Sequence, residues 1–182
     1  MPSIAKVADA ALMEQPVTRN TKGSSSHGWL DYWAMYGNTV FLIEVKHAWC
    51  SVTSGVIKKS TQDAYSKALL QLKRISSSEA SDLSGGSSFI KIALAVVPFY
   101  QASKNKDKLI PITDKEKIEE VHNNLVAGLT PPPNWSCIWL LHERLQKPVE
   151  YDDGRHELYP FVGVIAQVDN CLPALQKGKN DQ

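Results

Sequence analysis

The sequence predicts a mixed α/β domain in which helices flank one β-sheet. Apolar residues recur at helical spacing over residues 4–15 and 60–75, whereas residues 89–100 form a continuous apolar run typical of a strand covered on both faces. The chain has 182 residues, of which 43% are hydrophobic and 21% charged, as in one globular domain with a sizeable core. We therefore expect a single domain over residues 1–175, followed by a disordered tail over residues 176–182.

Three helices are predicted. The first covers residues 4–15 and ends before Pro16. The second covers residues 60–75, and the third begins at a capping-box pattern formed by Thr113 and Glu116. Each of these segments has an apolar stripe that a helix would turn toward the core.

The other apolar segments predict five strands, over residues 29–35, 40–49, 89–100, 136–141 and 159–168. Gly37-Asn38 lies between the first two strands as a short turn, which makes them a hairpin. The polar segments 18–27 and 76–88 are rich in Ser and are expected to be loops.

Two acidic residues and a lysine carry the chemistry. Glu44 and Lys46 are two residues apart on one strand, so their side chains point to the same face. Both lie in a strongly apolar strand, where a carboxylate and an ammonium are costly unless they pair or meet a metal. The turn near Gly37-Asn38 would put Asp31, on the preceding strand, alongside Glu44. Two carboxylates and a lysine are therefore expected to converge.

This arrangement resembles the PD-(D/E)xK nuclease superfamily, whose signature is an acidic residue at one strand's end and an acid-x-Lys on the next strand. Here the pattern is Asp31, then residues 32–43, then Glu44-Val45-Lys46. The resemblance covers roughly the first hundred residues. It implies a restriction endonuclease-like core, with a central mixed β-sheet flanked by helices.

Other positions follow the superfamily less closely. Gly28, three residues before the signature aspartate, resembles RecB-type and restriction-endonuclease-like branches, whereas Leu30 stands at the nominal proline. Gln62-x-x-Tyr65 replaces the Gln-x-x-x-Tyr of RecB-type members. In several branches a glutamate on the first helix adds a ligand or a water contact, which implies such a role for Glu14. Gln62 is expected to touch the site or the DNA backbone. For both Glu14 and Gln62, the alternative is a helix residue without a functional role.

The resemblance implies a divalent-metal-dependent nuclease that hydrolyses DNA phosphodiester bonds, of a restriction or phage and mobile-element kind. Mg²⁺, with Mn²⁺ as a substitute, prefers oxygen ligands and would be held by Asp31, Glu44 and the Val45 carbonyl. Lys46 would orient or deprotonate the attacking water, or neutralise the phosphate. The alternative is a non-catalytic module that binds nucleic acid or a protein partner. Retention of all three signature residues favours catalysis.

Composition limits the partners. The net charge is +1, so there is no overall cationic field, and a homodimer or a protein partner would supply affinity for DNA or another nucleic acid. The three cysteines are widely spaced, which predicts a reduced cytoplasmic protein without a zinc site. No apolar run approaches the length of a membrane span, and we expect no membrane partner. No nucleophile elbow or phosphate-binding loop occurs in the sequence.

Three tryptophans of the predicted hairpin have two interpretations. Trp29, Trp33 and Trp49 could stack on nucleic-acid bases, but aromatic residues in a hairpin more often pack across strands or in the core. Packing is the expected role.

Overall fold

The computed structural model describes residues 3–21, 23–53 and 57–171. The strands are β1 (Ala10–Thr21), β2 (Ser24–Tyr36), β3 (Thr39–His47), β4 (Cys50–Ser51), β5 (Ser88–Ser103), β6 (Trp135–Leu140), β7 (Val149–Glu150) and β8 (His156–Cys171). The α-helices are α1 (Lys59–Lys73), α2 (Ser77–Leu83) and α3 (Lys115–Ala127). Within these described ranges, no helix is long and apolar enough to cross a membrane.

The strands join in the order β1-β2-β3-β5-β8-β6, with β4 beside β5 and β7 beside β8. Neighbours β1, β2 and β3 are antiparallel, whereas β4 is parallel to β5, so the sheet is mixed. A large mixed sheet flanked by three helices confirms the predicted α/β class.

The chain divides into two compact units. The first unit takes in the described parts of residues 1–43, 74–92 and 169–182, and the second unit those of residues 44–73 and 93–168. The single domain over residues 1–175 stays a prediction. The predicted tail lies outside the described residues.

The predicted first helix is wrong. Only Ser3–Lys6 forms a single 3-10 turn, and from Ala10 the chain pairs with β2. The apolar residues of this segment are not all buried, since Leu12 and Met13 are each more than half exposed. β1 ends the strand order, and an edge strand tolerates Pro16, which has no N–H to donate.

The predicted loop over residues 18–27 is also wrong. Its residues close the hairpin of β1 and β2, with pairs running from Thr18↔His27 to Thr21↔Ser24. Polarity misled the prediction because the backbone ladder, and not apolar burial, holds this exposed end of the hairpin. The predicted turn at Gly37-Asn38 is confirmed, with Gly37 at φ +57°, a left-handed conformation that glycine adopts freely.

α2 belongs to the first unit. It occupies most of the segment predicted as a flexible connection, and Ser76 is its N-cap, accepting a hydrogen bond from the Glu79 N–H. Glu79 in turn accepts from the Thr18 N–H at 2.7 Å, and the Trp33 indole donates to the Leu83 carbonyl at 2.9 Å. Side-chain capping therefore gives the Ser-rich segment a helix that apolar periodicity did not reveal.

The second unit contains α1 and α3, two helices that the sequence predicts, together with β4, β6, β7 and most of β8. Its core includes Tyr65, Phe99 and Phe161, each at most 1% exposed, and the two phenyl rings lie 4.9 Å apart. The N-cap of α3 is Asp114, one residue after the predicted Thr113, since the Asp114 carboxylate accepts from the Glu116 N–H. The boundaries of the other elements differ from those predicted by a few residues.

Candidate functional site

Glu44 and Lys46 form a buried ion pair on β3. Buried and partly exposed residues alternate along this strand, and Glu44 occupies a buried position, with 1% of its surface exposed. The Lys46 ammonium donates to Glu44 Oε1 at 2.7 Å and to the Val45 carbonyl at 3.0 Å. The structure therefore brings Glu44, Val45 and Lys46 together, as their spacing predicted.

The electrostatics of this pair follow from its burial. Burying an isolated carboxylate at a core position would cost on the order of several kcal/mol in lost hydration. The ammonium offsets that cost and keeps 19% of its own side-chain surface exposed. The Glu44 and Val45 oxygens thus hold the Lys46 ammonium, which remains partly exposed to solvent.

Asp31 lies on β2 and is partly exposed. The pairing of β2 with β3 is described from Tyr36↔Thr39 to Tyr32↔Ile43. Asp31 is the next residue along β2, and Glu44 is the next along β3. The convergence of Asp31 with Glu44 stays a prediction.

Glu14 lies on β1 and not on a helix, so the reason for assigning it to the site is wrong. The pairs Met13↔Tyr32 and Gln15↔Leu30 bracket it, so Glu14 occupies the position opposite Asp31 in the hairpin of β1 and β2. The Glu14 side chain is exposed, and its φ of +52° is left-handed, a conformation that costs an L-residue about 1–2 kcal/mol. A ligand role for Glu14 stays a prediction.

Gln62 has a structural role that the sequence did not reveal. Its amide nitrogen donates to the Thr130 carbonyl at 2.8 Å, and its amide oxygen accepts from the Thr130 N–H at 2.9 Å. A further hydrogen bond joins its nitrogen to Ser66 Oγ. These bonds tie α1 to the segment that follows α3, and the predicted contact of Gln62 with the site stays a prediction.

Packing explains why a glycine occupies position 28. A Cβ at Gly28 would lie 2.5 Å from Arg19 Nε and 2.9 Å from Arg19 Cδ. Arg19 is only 6% exposed, and its guanidinium donates to the Trp29 carbonyl at 2.6 Å. The glycine three residues before Asp31 therefore makes room for a buried arginine, a packing requirement that a single sequence cannot show.

The oxygen donors fit a hard divalent cation. The Glu44 carboxylate and the Val45 carbonyl already converge on one cationic centre, the Lys46 ammonium, and both are the hard oxygen ligands that Mg²⁺ prefers. In the described ranges, no three His, Cys, Asp or Glu side chains form a metal-binding group. The predicted donor set has only two carboxylates, with a backbone carbonyl as the third ligand.

Comparisons of the chain with protein-family models, with curated protein sequences and with solved structures find no match.

Proposed function

We propose that this protein is a divalent-metal-dependent nuclease that hydrolyses DNA phosphodiester bonds. The observation that carries the proposal is the buried Glu44 carboxylate, paired with Lys46 on a largely apolar strand. A buried ion pair is often no more stabilising than an apolar pair of the same volume. Stability alone therefore does not account for the pair, whereas metal-dependent phosphodiester hydrolysis would use the carboxylate as a metal ligand and the ammonium to stabilise charge on the phosphate.

The proposed metal ligands are Asp31, Glu44 and the Val45 carbonyl. The set follows from the sequence pattern of Asp31, residues 32–43 and Glu44-Val45-Lys46, and its donors are the hard oxygen ligands that Mg²⁺ prefers. When bound, Mg²⁺ or Mn²⁺ would stabilise charge on the phosphate oxygens and lower the pKa of a coordinated water.

Lys46 is proposed as the catalytic cation. Its hydrogen bonds to Glu44 and Val45 fix the ammonium in place, so little reorganisation is needed when a phosphate approaches. Its positive charge would oppose the negative charge that develops on the phosphate. The partly exposed position of Lys46, with 19% of its side-chain surface exposed, is compatible with such contact.

DNA affinity tests this proposal against a non-catalytic nucleic-acid-binding module. If phosphate approaches Asp31 and Glu44, their negative charge opposes binding and a bound cation promotes it. We expect Ca²⁺ to tighten DNA binding by the parent more than by Asp31→Asn, and Asp31→Asn to bind at least as tightly as the parent in chelator. Affinity is measured by fluorescence anisotropy at one fixed salt concentration.

The matched control is Glu120→Gln, which removes a carboxylate that is 54% exposed on α3 and should leave the response to Ca²⁺ unchanged. If DNA binds equally in Ca²⁺ and in chelator, for parent and Asp31→Asn alike, the protein is a binding module and the nuclease proposal fails.

A further inference from the structure

A second candidate site lies within the second unit. Four aromatic residues and one glutamate line a pocket of 260 Å³, formed by Trp49, Tyr100, Tyr151, Glu157 and Tyr159. We call it the aromatic pocket. Its lining is largely aromatic, and Glu157 is 7% exposed, so the pocket combines aromatic surface with a largely desolvated carboxylate.

Two hydroxyls of the aromatic pocket, those of Tyr151 and Tyr159, present acceptors to a ligand. The Tyr159 hydroxyl donates to Glu157 Oε2, because a carboxylate has no hydrogen to give. The Tyr151 hydroxyl lies 2.7 Å from the Tyr159 hydroxyl and must then be the donor of that bond. Burial and the hydrogen bond to Glu157 raise the pKa of Tyr159, which keeps this donor protonated. Both hydroxyl hydrogens are used, so oxygen lone pairs remain for a ligand that donates.

Two cations stand beside the aromatic pocket. Lys58 donates to the Tyr100 hydroxyl, and its ammonium lies 4.8 Å from the centre of that ring. The Arg155 guanidinium lies 4.9 Å from the centre of the Tyr151 ring and 3.3 Å from Glu157 Oε1. Arg155 also lies 3.9 Å from Asp153, so the two cations face two carboxylates. Because Lys58 is exposed and Arg155 keeps 48% of its side-chain surface exposed, both cations remain accessible to an anion next to the aromatic surface.

Trp49 supplies the accessible wall. It is 45% exposed, and edge contacts hold its ring at 5.4 Å from the Tyr159 ring and 4.8 Å from the His47 ring. The expectation that Trp49 only packs is therefore incomplete, since a large part of the indole remains accessible. Trp49 follows Lys46 by three residues, which span at most about 11 Å of extended chain.

We propose that the aromatic pocket binds one unpaired nucleobase of a single-stranded nucleic acid, specifically a base with an amino group, and that Lys58 and Arg155 contact the adjoining phosphates. Stacking on aromatic side chains accepts any base, whereas the Tyr151 and Tyr159 oxygens, whose hydrogens are already used, favour a base with an amino group, that is guanine, adenine or cytosine, over thymine. This inference rests on the proposed function, because it names the form of nucleic acid brought near Lys46.

Binding of fluorescent nonanucleotides in EDTA tests the inference without catalysis. The probes are all-thymine DNA and the same strand with one central guanine, adenine or cytosine. We expect the parent to bind each substituted probe more tightly than all-thymine DNA. Trp49→Ala should lose about tenfold in affinity for the guanine probe, the loss expected for one stacked base.

Trp139→Ala is the matched control, because Trp139 is 73% exposed on β6 and lies outside the aromatic pocket. Tyr151→Phe removes a hydroxyl acceptor while keeping the ring, so it should reduce the preference for amino-bearing bases and retain affinity for all-thymine DNA. Equal binding of all four probes by the parent, or parent-like binding of the guanine probe by Trp49→Ala, would overturn the inference.

Cleavage in Mn²⁺ separates this inference from the proposed function. If the parent cleaves duplex DNA but shows no base preference in EDTA, the pocket inference alone fails. If the base preference depends on Trp49 but no cleavage occurs, the nuclease proposal fails and the pocket remains a nucleobase site.

Discussion

Lys46 Nζ lies 2.7 Å from Glu44 Oε1, where the carboxylate side chain is 1% exposed. A second pair, Lys117 and Glu120 on α3, has a similar distance of 2.9 Å, but its side chains are 39% and 54% exposed. Similar distances thus join groups that differ in desolvation, and solvent screens the second pair far more strongly. The two pairs should therefore respond differently to the loss of their lysines.

Lys46→Met should lower the free energy of unfolding by on the order of 3 kcal/mol, because it removes the counter-charge of a buried carboxylate. Lys117→Met, the matched control, should change it by less than about 0.5 kcal/mol. Urea unfolding at neutral pH measures both. Equal effects of the two substitutions would mean that the burial of Glu44 has no energetic consequence.

Gly28→Ala should destabilise the first unit, because the new Cβ would lie 2.5 Å from Arg19 Nε. The expected loss is about 1–3 kcal/mol, typical of overpacking. In an Arg19→Ala background the same substitution should cost much less, since the obstructing side chain is gone. An equal cost in both backgrounds would show that the glycine is required for another reason.

Gln62→Ala should lower the free energy of unfolding by about 1–2 kcal/mol, because it removes both hydrogen bonds to Thr130. Gln101→Ala is the control, since Gln101 makes one described side-chain hydrogen bond, to the Ile110 carbonyl. If Gln62 has only a structural role, Gln62→Ala should retain any metal-dependent cleavage below its melting temperature. Lost cleavage with unchanged stability would instead support the contact with the site that the sequence predicts.

Alkaline pH should destabilise the protein through Tyr159. Burial and the hydrogen bond to Glu157 raise the pKa of Tyr159, so the folded state keeps a proton that the unfolded chain loses near pH 10. The contribution of Tyr159 to the free energy of unfolding is fully present below about pH 10 and falls as the pH rises further. Urea unfolding between pH 8.5 and 11 should show a shallower alkaline loss for Tyr159→Phe than for Tyr36→Phe, whose ring is 65% exposed. Identical slopes would contradict the assigned role of Tyr159.

Local spacing predicts the pairing of Glu44 with Lys46 better than it predicts the secondary structure of residues 4–15. The two-residue period of a strand is enough to put Glu44 and Lys46 on one face, and the turn at Gly37-Asn38 fixes the register of β2 with β3. By contrast, residues 4–15 have an apolar spacing that both a helix and an exposed edge strand can accommodate. Pairing with β2 decides the outcome, and a helical pattern in the sequence contains no information about that partner.

Several contacts could not be predicted because they join distant parts of the chain. Gln62 bonds to the backbone of Thr130, and the space left by Gly28 is filled by Arg19. The aromatic pocket likewise joins Trp49 and Tyr100 with residues 151–159. None of these contacts has a periodic signal, since each depends on the register and the tertiary fold.

DNA cleavage under single-turnover conditions in Mn²⁺ tests the central claim most directly. The parent should cleave in Mn²⁺ or Mg²⁺ and not in EDTA, and Asp31→Asn, Glu44→Gln and Lys46→Met should each reduce the rate by about 100-fold or more. Glu120→Gln should cleave at the parent rate, and urea unfolding should confirm that each variant is folded at the assay temperature. If the parent leaves DNA intact with both metals, or if the three site variants cleave as fast as the parent, Asp31, Glu44 and Lys46 do not form a nuclease site.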